Sequence, residues 1–287
     1  MPSKPSIALI GPGNLGFALG RALAAAGYRI DEVIARDNPS SLRRARDLAR
    51  KVKAQARTWS DAQLDSRIVW LCVSDDAIGD CARRLSKRGD WKGKIVLHSS
   101  GALSSELLAP LARRGAATAS LHPMQSFVRS SAADMRGIWF GVEGDAAAVR
   151  VARRIATDLG GHVLRVERRN KALYHVLGGF ASPLIIALLA LAEQIAREAG
   201  VPDRARRGVI EPILLRTVKN YTRHGAAAAF SGPLVRGDLD TVKAHLGSLG
   251  RVPGALEVYK ALVRSAIKTL PVGKKREIEN LLRSSGR

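Results

Sequence analysis

Cysteine is almost missing from this chain: Cys72 and Cys81 are the only two in 287 residues, nine apart in a stretch that reads as a strand followed by a helix. That count and spacing give neither a disulfide framework nor a set of metal ligands, so reduced thiols in a cytoplasmic protein with no metal site are expected. Acidic residues are also scarce, 25 against 47 Lys and Arg, which leaves a formal charge of +22. Aromatics make up only 5% of the chain. The basic residues are spread over many predicted helices (Arg43, Arg44, Arg46, Arg50; Arg83, Arg84, Lys87, Arg88; Arg204, Arg206, Arg207). No aromatic-interleaved stripe and no nucleic-acid motif accompanies them, so they read as solvated helix faces and no specific nucleic-acid partner is expected. No apolar run reaches the ~20 residues of a membrane span; Val176 to Ala192 falls short, and Gly178-Gly179 and Ser182-Pro183 interrupt it. It reads as a core or dimer-interface helix, with no membrane partner. The segment Met1-Pro2-Ser3-Lys4-Pro5 runs into a short strand, too brief and wrongly flanked for a signal peptide.

The composition, 46% hydrophobic and 25% charged, is that of a globular protein, and the length suggests two domains. From Ser6 to Val166 short β-branched runs alternate with helical patterns, the signature of βα units on a largely parallel sheet. Strands are expected at Ser6–Ile10, Glu32–Arg36, Ile68–Val73, Lys94–Ser99, Ala117–Leu121, Ile138–Val142 and His162–Val166. Leu15, Leu19, Ala22, Leu23 and Ala26 recur at helical spacing, and Ser41–Val52 and Ala77–Lys87 are further helices. Beyond Val166 the pattern is helix alone, with one apolar stripe through Val209, Ile213, Val218 and Tyr221 and another through Val252, Leu256, Tyr259, Val263 and Ile267. A first domain over 1–166 and a helical domain over 167–287 follow, the second opening on one long helix from Lys171 to Ala199.

Gly11-Pro12-Gly13-Asn14-Leu15-Gly16 follows the first strand and opens the first helix, the context in which a G-x-G-x-x-G becomes a dinucleotide-binding loop of a Rossmann-type, doubly wound α/β domain. Gly11 permits the turn, Gly13 lets the backbone approach a pyrophosphate, and Gly16 lets helix and strand pack closely; amides at Asn14 and Leu15 would hold the phosphates. About 20 residues on, a site preferring NAD would carry an acidic residue. This chain has Arg36 there, suited to a 2′-phosphate, so NADP(H) is favoured over NAD(H), with Ser40, Ser41 and Arg43 nearby. Asp37 leaves the alternative open, since a one-residue shift of the strand end would place a carboxylate there. At the end of the next strand, the backbone of Val73–Ser74 is expected to contact the cofactor, and Asp75 or Asp76 to cap the following helix.

Two histidines end strands on the same edge: His98, before Ser99-Ser100-Gly101, and His122, before Pro123-Met124-Gln125. Each also reads as a structural hydrogen-bonder. Asn170, Lys171, Tyr174 and His175 open the helical domain, with Lys171 and His175 one turn apart on one face. Lys or His can donate a proton to a reduced C=O or C=N, although a helix start is also commonly just solvated. The turn Ser231-Gly232-Pro233-Leu234-Val235-Arg236-Gly237-Asp238 leads into a helix with Thr241 and His245; it serves as a helix entry or shapes a loop for an anion or a partner subunit.

Together the phosphate loop, Cys72-Val73-Ser74-Asp75-Asp76-Ala77-Ile78, His98-Ser99-Ser100-Gly101-Ala102-Leu103, Leu121-His122-Pro123-Met124-Gln125-Ser126-Phe127, Tyr174-His175 and the Ser231–Asp238 turn resemble a family. It is the Rossmann-like oxidoreductases with a C-terminal domain of unknown function 2520, distant relatives of pyrroline-5-carboxylate reductase and 6-phosphogluconate dehydrogenase. The resemblance implies a Rossmann domain followed by an all-α domain that builds a homodimer, with the active site in the cleft between them. Where relatives commonly carry Ala-Ser-Asn in the long helix, this chain has Ala181-Ser182-Pro183, so a helix kink and the loss of that asparagine's substrate contact are implied.

The reading that follows is an NADP(H)-dependent oxidoreductase for a small, anionic substrate, with Lys171 or His175 as acid and His122 and Ser100 orienting the substrate. Two alternatives remain: a dimeric NADP(H)-binding protein without turnover, and nucleic-acid binding through the basic surface.

Overall fold

Strand β1 (Ile7–Ile10) is four consecutive apolar residues, buried on both faces. Such a strand can only lie at the centre of a sheet covered on both sides. The computed structural model describes residues 4–128 and 134–284, so Met1–Ser3, part of the segment read above as no signal peptide, fall outside the described residues. Helix α1 (Asn14–Ala25) leads to β2 (Ile30–Ala35), α2 (Pro39–Val52), β3 (Gln55–Thr58), β4 (Ile68–Leu71), α3 (Asp75–Ser86) and β5 (Ile95–His98). After α4 (Ala109–Ala112) come β6 (Ala117–Pro123), β7 (Trp139–Gly144), α5 (Ala146–Asp158), β8 (His162–Arg165) and α6 (Lys171–Ala181). The strand order is β3-β2-β1-β4-β5-β6-β7-β8, parallel throughout except for the β6–β7 pair. Alternate residues serve opposite faces: Ile7 and Leu9 pack with Leu19, Leu23, Leu48 and Ile155. Ala8 and Ile10 pack with Ile78, Ala82 and Leu85 on the other side.

All seven expected strands are present. β3 was not expected; it is an edge strand with no fully buried residue, so its sequence lacks the apolar run that marks the others. Helix α2 begins two residues earlier than the pattern suggested, because Pro39 occupies its first turn and Asn38 caps it, the Asn38 Oδ1 accepting from Ser41 N at 2.9 Å. In α3 the cap residue is Ser74, whose side chain makes no capping bond; Asp75 and Asp76 stand in the first turn instead of capping. There they favour the positive helix end.

Contacts divide the chain into two compact units, Met1–Ser182 and Pro183–Arg287. The first unit thus continues past residue 166 through α6, which Lys171 fastens by its buried side chain. The single helix expected from Lys171 to Ala199 is two, α6 and α7 (Pro183–Glu198), broken at Ser182 with φ −138° and ψ −85°. The cause is local: a residue before proline is pushed out of the helical region, and proline is well placed to start a new helix.

In the second unit, α7 is followed by α8 (Asp203–Ala229), α9 (Pro233–Arg236), α10 (Leu239–Leu249), α11 (Ala255–Thr269) and α12 (Lys275–Ser284). Val242, Leu246, Val263, Ile267, Ile278 and Leu282 from α10, α11 and α12 form its core. The Ser231–Asp238 turn is internally tied, Arg236 pairing with Asp238 at 2.6 Å and the Leu234 carbonyl accepting from Gly273 N. Among the described residues Val209, Ile213, Val218 and Tyr221 of the α8 stripe are exposed, as are Leu184 and Ile186 of α7. Taken across the break at Ser182, Arg168–Glu198 has a mean hydropathy of 2.0 in its most apolar window and is by length and composition alone long and apolar enough to cross a membrane, whereas the sequence reading took Val176 to Ala192 as too short.

Candidate active site

The glycine loop sits at the carboxyl end of β1, where parallel sheets bind ligands. Gly11 has φ +97°, and a side chain there would stand 2.6 Å from the Cys72 carbonyl oxygen. A Cβ on Gly16 would lie 2.1 Å from the Gly11 carbonyl oxygen. Gly13 differs, since its nearest neighbour in that direction, the Cys72 carbonyl oxygen, is 4.0 Å away. Gly13 also caps α1, with no side chain bonded to the helix's first amides. An open cradle of free amides at a helix start fits a pyrophosphate.

The cradle opens into a cavity of about 470 Å³. Gly11, Pro12 and Gly13 form one wall, Cys72, Val73 and Ser74 another, and Arg36, Ser41, Arg44, Trp59 and Arg84 its far end. Arg36 follows directly on β2 and lines this cavity, whereas Asp37 accepts from the Ser60 hydroxyl at 3.1 Å. Hydrogen bonds from the Thr58 and Ser60 region keep the Asp37 carboxyl below its ordinary range. Among the expected helpers, Ser41 lines the cavity; Ser40 bonds to Asn38 instead, and Arg44, not Arg43, is the α2 cation in the wall. Asn14 braces the loop, its Oδ1 accepting from Arg44 and its Nδ2 donating to the Phe127 carbonyl, both at 3.2 Å. Leu15 packs its side chain against the core. Arg84 was assigned to a solvated helix face; the structure places it in the cavity wall instead, with its guanidinium 5.0 Å from the centre of the Trp59 ring.

Further along the same sheet edge, β5, β6 and α6 bring together Ser100, His122, Lys171, Tyr174 and His175. Lys171 is only 2% exposed, which rules out a solvated helix start. Its Nζ donates to the Ser100 carbonyl at 2.7 Å and to the Ser120 hydroxyl at 2.6 Å. Burial, opposed by the charges of Glu143 and Asp75, brings the ammonium down to about 8. The Ser100 hydroxyl accepts from the amides of Ala102 and Leu103, so that side chain shapes a turn while its carbonyl holds Lys171. His122 Nδ1 lies 3.4 Å from the Tyr174 hydroxyl, and its ring stands edge-on to His175, with centres 5.8 Å apart. Burial first, then the charge of Lys171, pushes His122 down to about 3, so it is neutral at physiological pH. Two glycines make room for this cluster. A Cβ on Gly101 would meet His175 Cδ2 at 2.6 Å and His122 Nε2 at 2.8 Å, and one on Gly141 would meet the Tyr174 ring at 2.5 Å.

His98 stands apart from this group. It is fully buried, its Nδ1 accepts from Ser100 N at 3.1 Å, and burial followed by the Lys171 charge lowers it to about 4. Folding therefore favours neutral His98: the stability it contributes is complete above its unfolded value near 6.5 and is lost as pH falls towards 4. The loss amounts to about 3 kcal/mol. Denaturant midpoints measured from pH 7 to 4 should fall across that window, and an NMR titration should show the His98 ring still unprotonated at pH 5.5; protonation near 6.5 would contradict this placement.

Sequence reasoning singled out Lys171, His122 and His175, which the structure brings together, but not Ser120 beside them or Trp59 and Arg84 in the cavity wall. Ser120 is an ordinary β-strand residue in sequence, and only the sheet register brings it beneath Lys171. Among the described residues no group of three or more His, Cys, Asp or Glu side chains is placed to hold a metal ion.

Comparison with known proteins now adds to this geometry. The model of a Rossmann-like domain matches residues 1–123, and that of Domain of unknown function (DUF2520) matches 138–266. The two matches together cover most of the chain, a Rossmann-like domain first and the DUF2520 domain after it. The architecture is thus the expected one: a doubly wound α/β sheet followed by helices. No curated protein matches the chain. Among solved structures, protein TM1727 from Thermotoga maritima is 23% identical with a TM-score of 0.72, over 98% of this chain and 100% of that one. The reductive aminase from Aspergillus terreus, in complex with NADPH and ethyl-5-oxohexanoate, is 16% identical with a TM-score of 0.65, over 96% and 99%. The imine reductase from Myxococcus stipitatus, in complex with NADP+, is 17% identical with a TM-score of 0.64, over 97% and 100%. At these identities the likeness shows the fold this chain shares with them.

Proposed function

We propose that this chain is an NADP(H)-dependent oxidoreductase that moves hydride to or from a small, anionic substrate. The observation that carries the reading is the pairing, on one sheet edge, of a glycine cradle opening onto arginines with a buried lysine of lowered pKa. Gly11, Gly13 and Gly16 and the amides of Asn14 and Leu15 would hold the pyrophosphate, Arg36 and Arg44 the 2′-phosphate, and the backbone of Val73–Ser74 the adjoining ribose. A bound nicotinamide supplies the carbon that gives or takes hydride. Solved imine reductases of this fold carry NADP+ and, in a variant, NAD+; the choice of NADP(H) here therefore rests on Arg36 and Arg44.

Two of the three Lys171 ammonium donors are occupied, by Ser100 and Ser120. The third is left for a substrate atom, and a group titrating near 8 can both give and recover a proton near neutrality. His175 lies one turn on, exposed, as the second candidate for proton supply. Neutral His122, bonded to Tyr174, orients the substrate, and Ser100 contributes through its carbonyl by fixing Lys171. A second copy of the chain covers the exposed apolar faces of α7 and α8, giving the homodimer that the sequence suggested, and the protein works as a soluble one.

Calorimetric titration is expected to show NADPH binding at least about tenfold more tightly than NADH, a margin one charge-assisted contact supplies. NADPH oxidation should follow with some member of a panel of imines, aldehydes and keto acids. Failure to take up either dinucleotide would overturn the reading. The break at Ser182, ahead of Pro183 where the family resemblance implies an asparagine, favours a second reading as a cofactor-binding dimer without turnover. Tight NADPH binding with no oxidation across the panel would establish it.

A further inference from the structure

The far end of the cofactor cavity holds more positive charge than a single arginine after β2 accounts for. Arg36 and Arg44 reach it from the β2 side of β1, and Arg84 reaches it from α3 on the β4 side. Among the described residues Arg36 and Arg84 make no ion pair, and Arg44 bonds only to the neutral Asn14. The lone carboxylate in the wall, Asp80, is paired with Arg83. Three guanidinium groups therefore line one cavity, none of them in an ion pair among the described residues; Asp37, turned to Ser60, feels the charge of Arg84 without pairing with it.

Arg84 is also held in place. Its guanidinium lies over the ring of Trp59, which is only 7% exposed. Arg88 anchors the backbone beneath, donating to the carbonyls of Trp59 and Ala62, the second at 2.8 Å. Trp59 packs into the same core as Ile78 and Leu85 of α3, so shelf and guanidinium belong to one rigid piece of the fold. A guanidinium fixed over an indole keeps its N–H edge for an oxyanion and its outer face for a planar ring.

We propose that Arg84, laid on Trp59 opposite Arg36 and Arg44, is a specificity-determining residue for the 2′-phosphate of the cofactor, and that Trp59 is its positioning residue. This rests on the reading of the cavity as an NADP(H) site. A 2′-phosphate carries close to two negative charges near neutral pH and several strong acceptor oxygens, which one pair of arginines on one side leaves partly unmet. With NAD(H) the three cations would face two hydroxyls and keep their mutual repulsion. Arg84 thus acts on the difference between the two dinucleotides and little on the parts they share.

The test is the ratio of NADPH to NADH affinity, measured by calorimetry on the full chain. Because Arg84 is exposed, Arg84→Gln should leave Tm unchanged. It should weaken NADPH about tenfold or more and NADH less than about twofold, while Arg84→Lys recovers part of the NADPH affinity. Trp59→Leu should lower the same ratio, and adding it to Arg84→Gln should cost little further, since both act through one contact. Equal weakening of both dinucleotides by Arg84→Gln, or no weakening, would overturn the assignment of Arg84 while leaving the cofactor reading intact. Wild-type protein that binds neither dinucleotide would overturn both.

Discussion

Lys171→Met should abolish turnover while leaving the protein at least as stable as the wild type. Loss of a positioned proton donor removes about 10²–10⁴-fold in rate. NADPH affinity should be unchanged, because Lys171 is not among the residues lining the phosphate cavity. The stability half follows from the sign of its pKa shift. The folded protein holds the Lys171 ammonium down to about 8 against an unfolded value near 10.5. Below pH 8 both states are protonated and folding carries a constant burial penalty; stability then rises as pH increases from 8 to 10.5, where only the unfolded chain still binds the proton. Methionine fills a similar volume with no charge to bury, and the Ser120 hydroxyl still donates to the Ser100 carbonyl at 3.1 Å, so neither acceptor is stranded. A group whose removal relieves the fold but stops the reaction is kept for function. Removing its charge should also raise the pKa of His122 and His98, both of which it depresses. Full turnover in both Lys171→Met and His175→Ala would dismiss both residues from the mechanism, and a steep fall in Tm for Lys171→Met would make the lysine structural.

Much of this was legible in the sequence, for reasons that differ from site to site. Strands such as Ile7–Ile10 announce themselves because a parallel strand covered on both faces must be apolar throughout, and Gly11–Gly16 because its glycines answer backbone constraints visible in their spacing. Edge strand β3 is under neither constraint and stayed hidden. Lys171 was found as a chemical candidate, but its burial was not: the helical pattern of α6 carries no mark that this one position inserts beneath β5 and β6. Arg84 shows the opposite failure. Its place on an amphipathic helix is that of a solvated residue, and it becomes part of a site only because the Trp59 loop folds back against α3. Residues whose role comes from their own element are readable one at a time, whereas Ser120, Trp59 and Arg84 owe theirs to a neighbour distant in sequence.

The glycine loop separates folding from binding more sharply than any other part of the chain. Gly16→Val should damage both, since its Cβ would sit 2.1 Å from the Gly11 carbonyl oxygen, a backbone atom that cannot step aside without opening the turn between β1 and α1. Gly13→Val should damage only binding. Gly13 has φ −69° and ψ −170°, extended backbone that any residue adopts, and an added Cβ would meet nothing closer than 4.0 Å. The protein has therefore left space beside Gly13 that its own packing does not use, and a pyrophosphate lying on the α1 amides would need that space. Filling it with a branched side chain should cost about a hundredfold or more in NADPH affinity, with a Tm within a few degrees of wild type, because a cap change from glycine is worth only about 1 kcal/mol. Calorimetric titration of the two variants beside the wild type, with thermal melts on the same samples, measures both quantities. If Gly13→Val bound NADPH undiminished, the cradle would not be where the phosphates lie, and the cofactor would have to be held some other way.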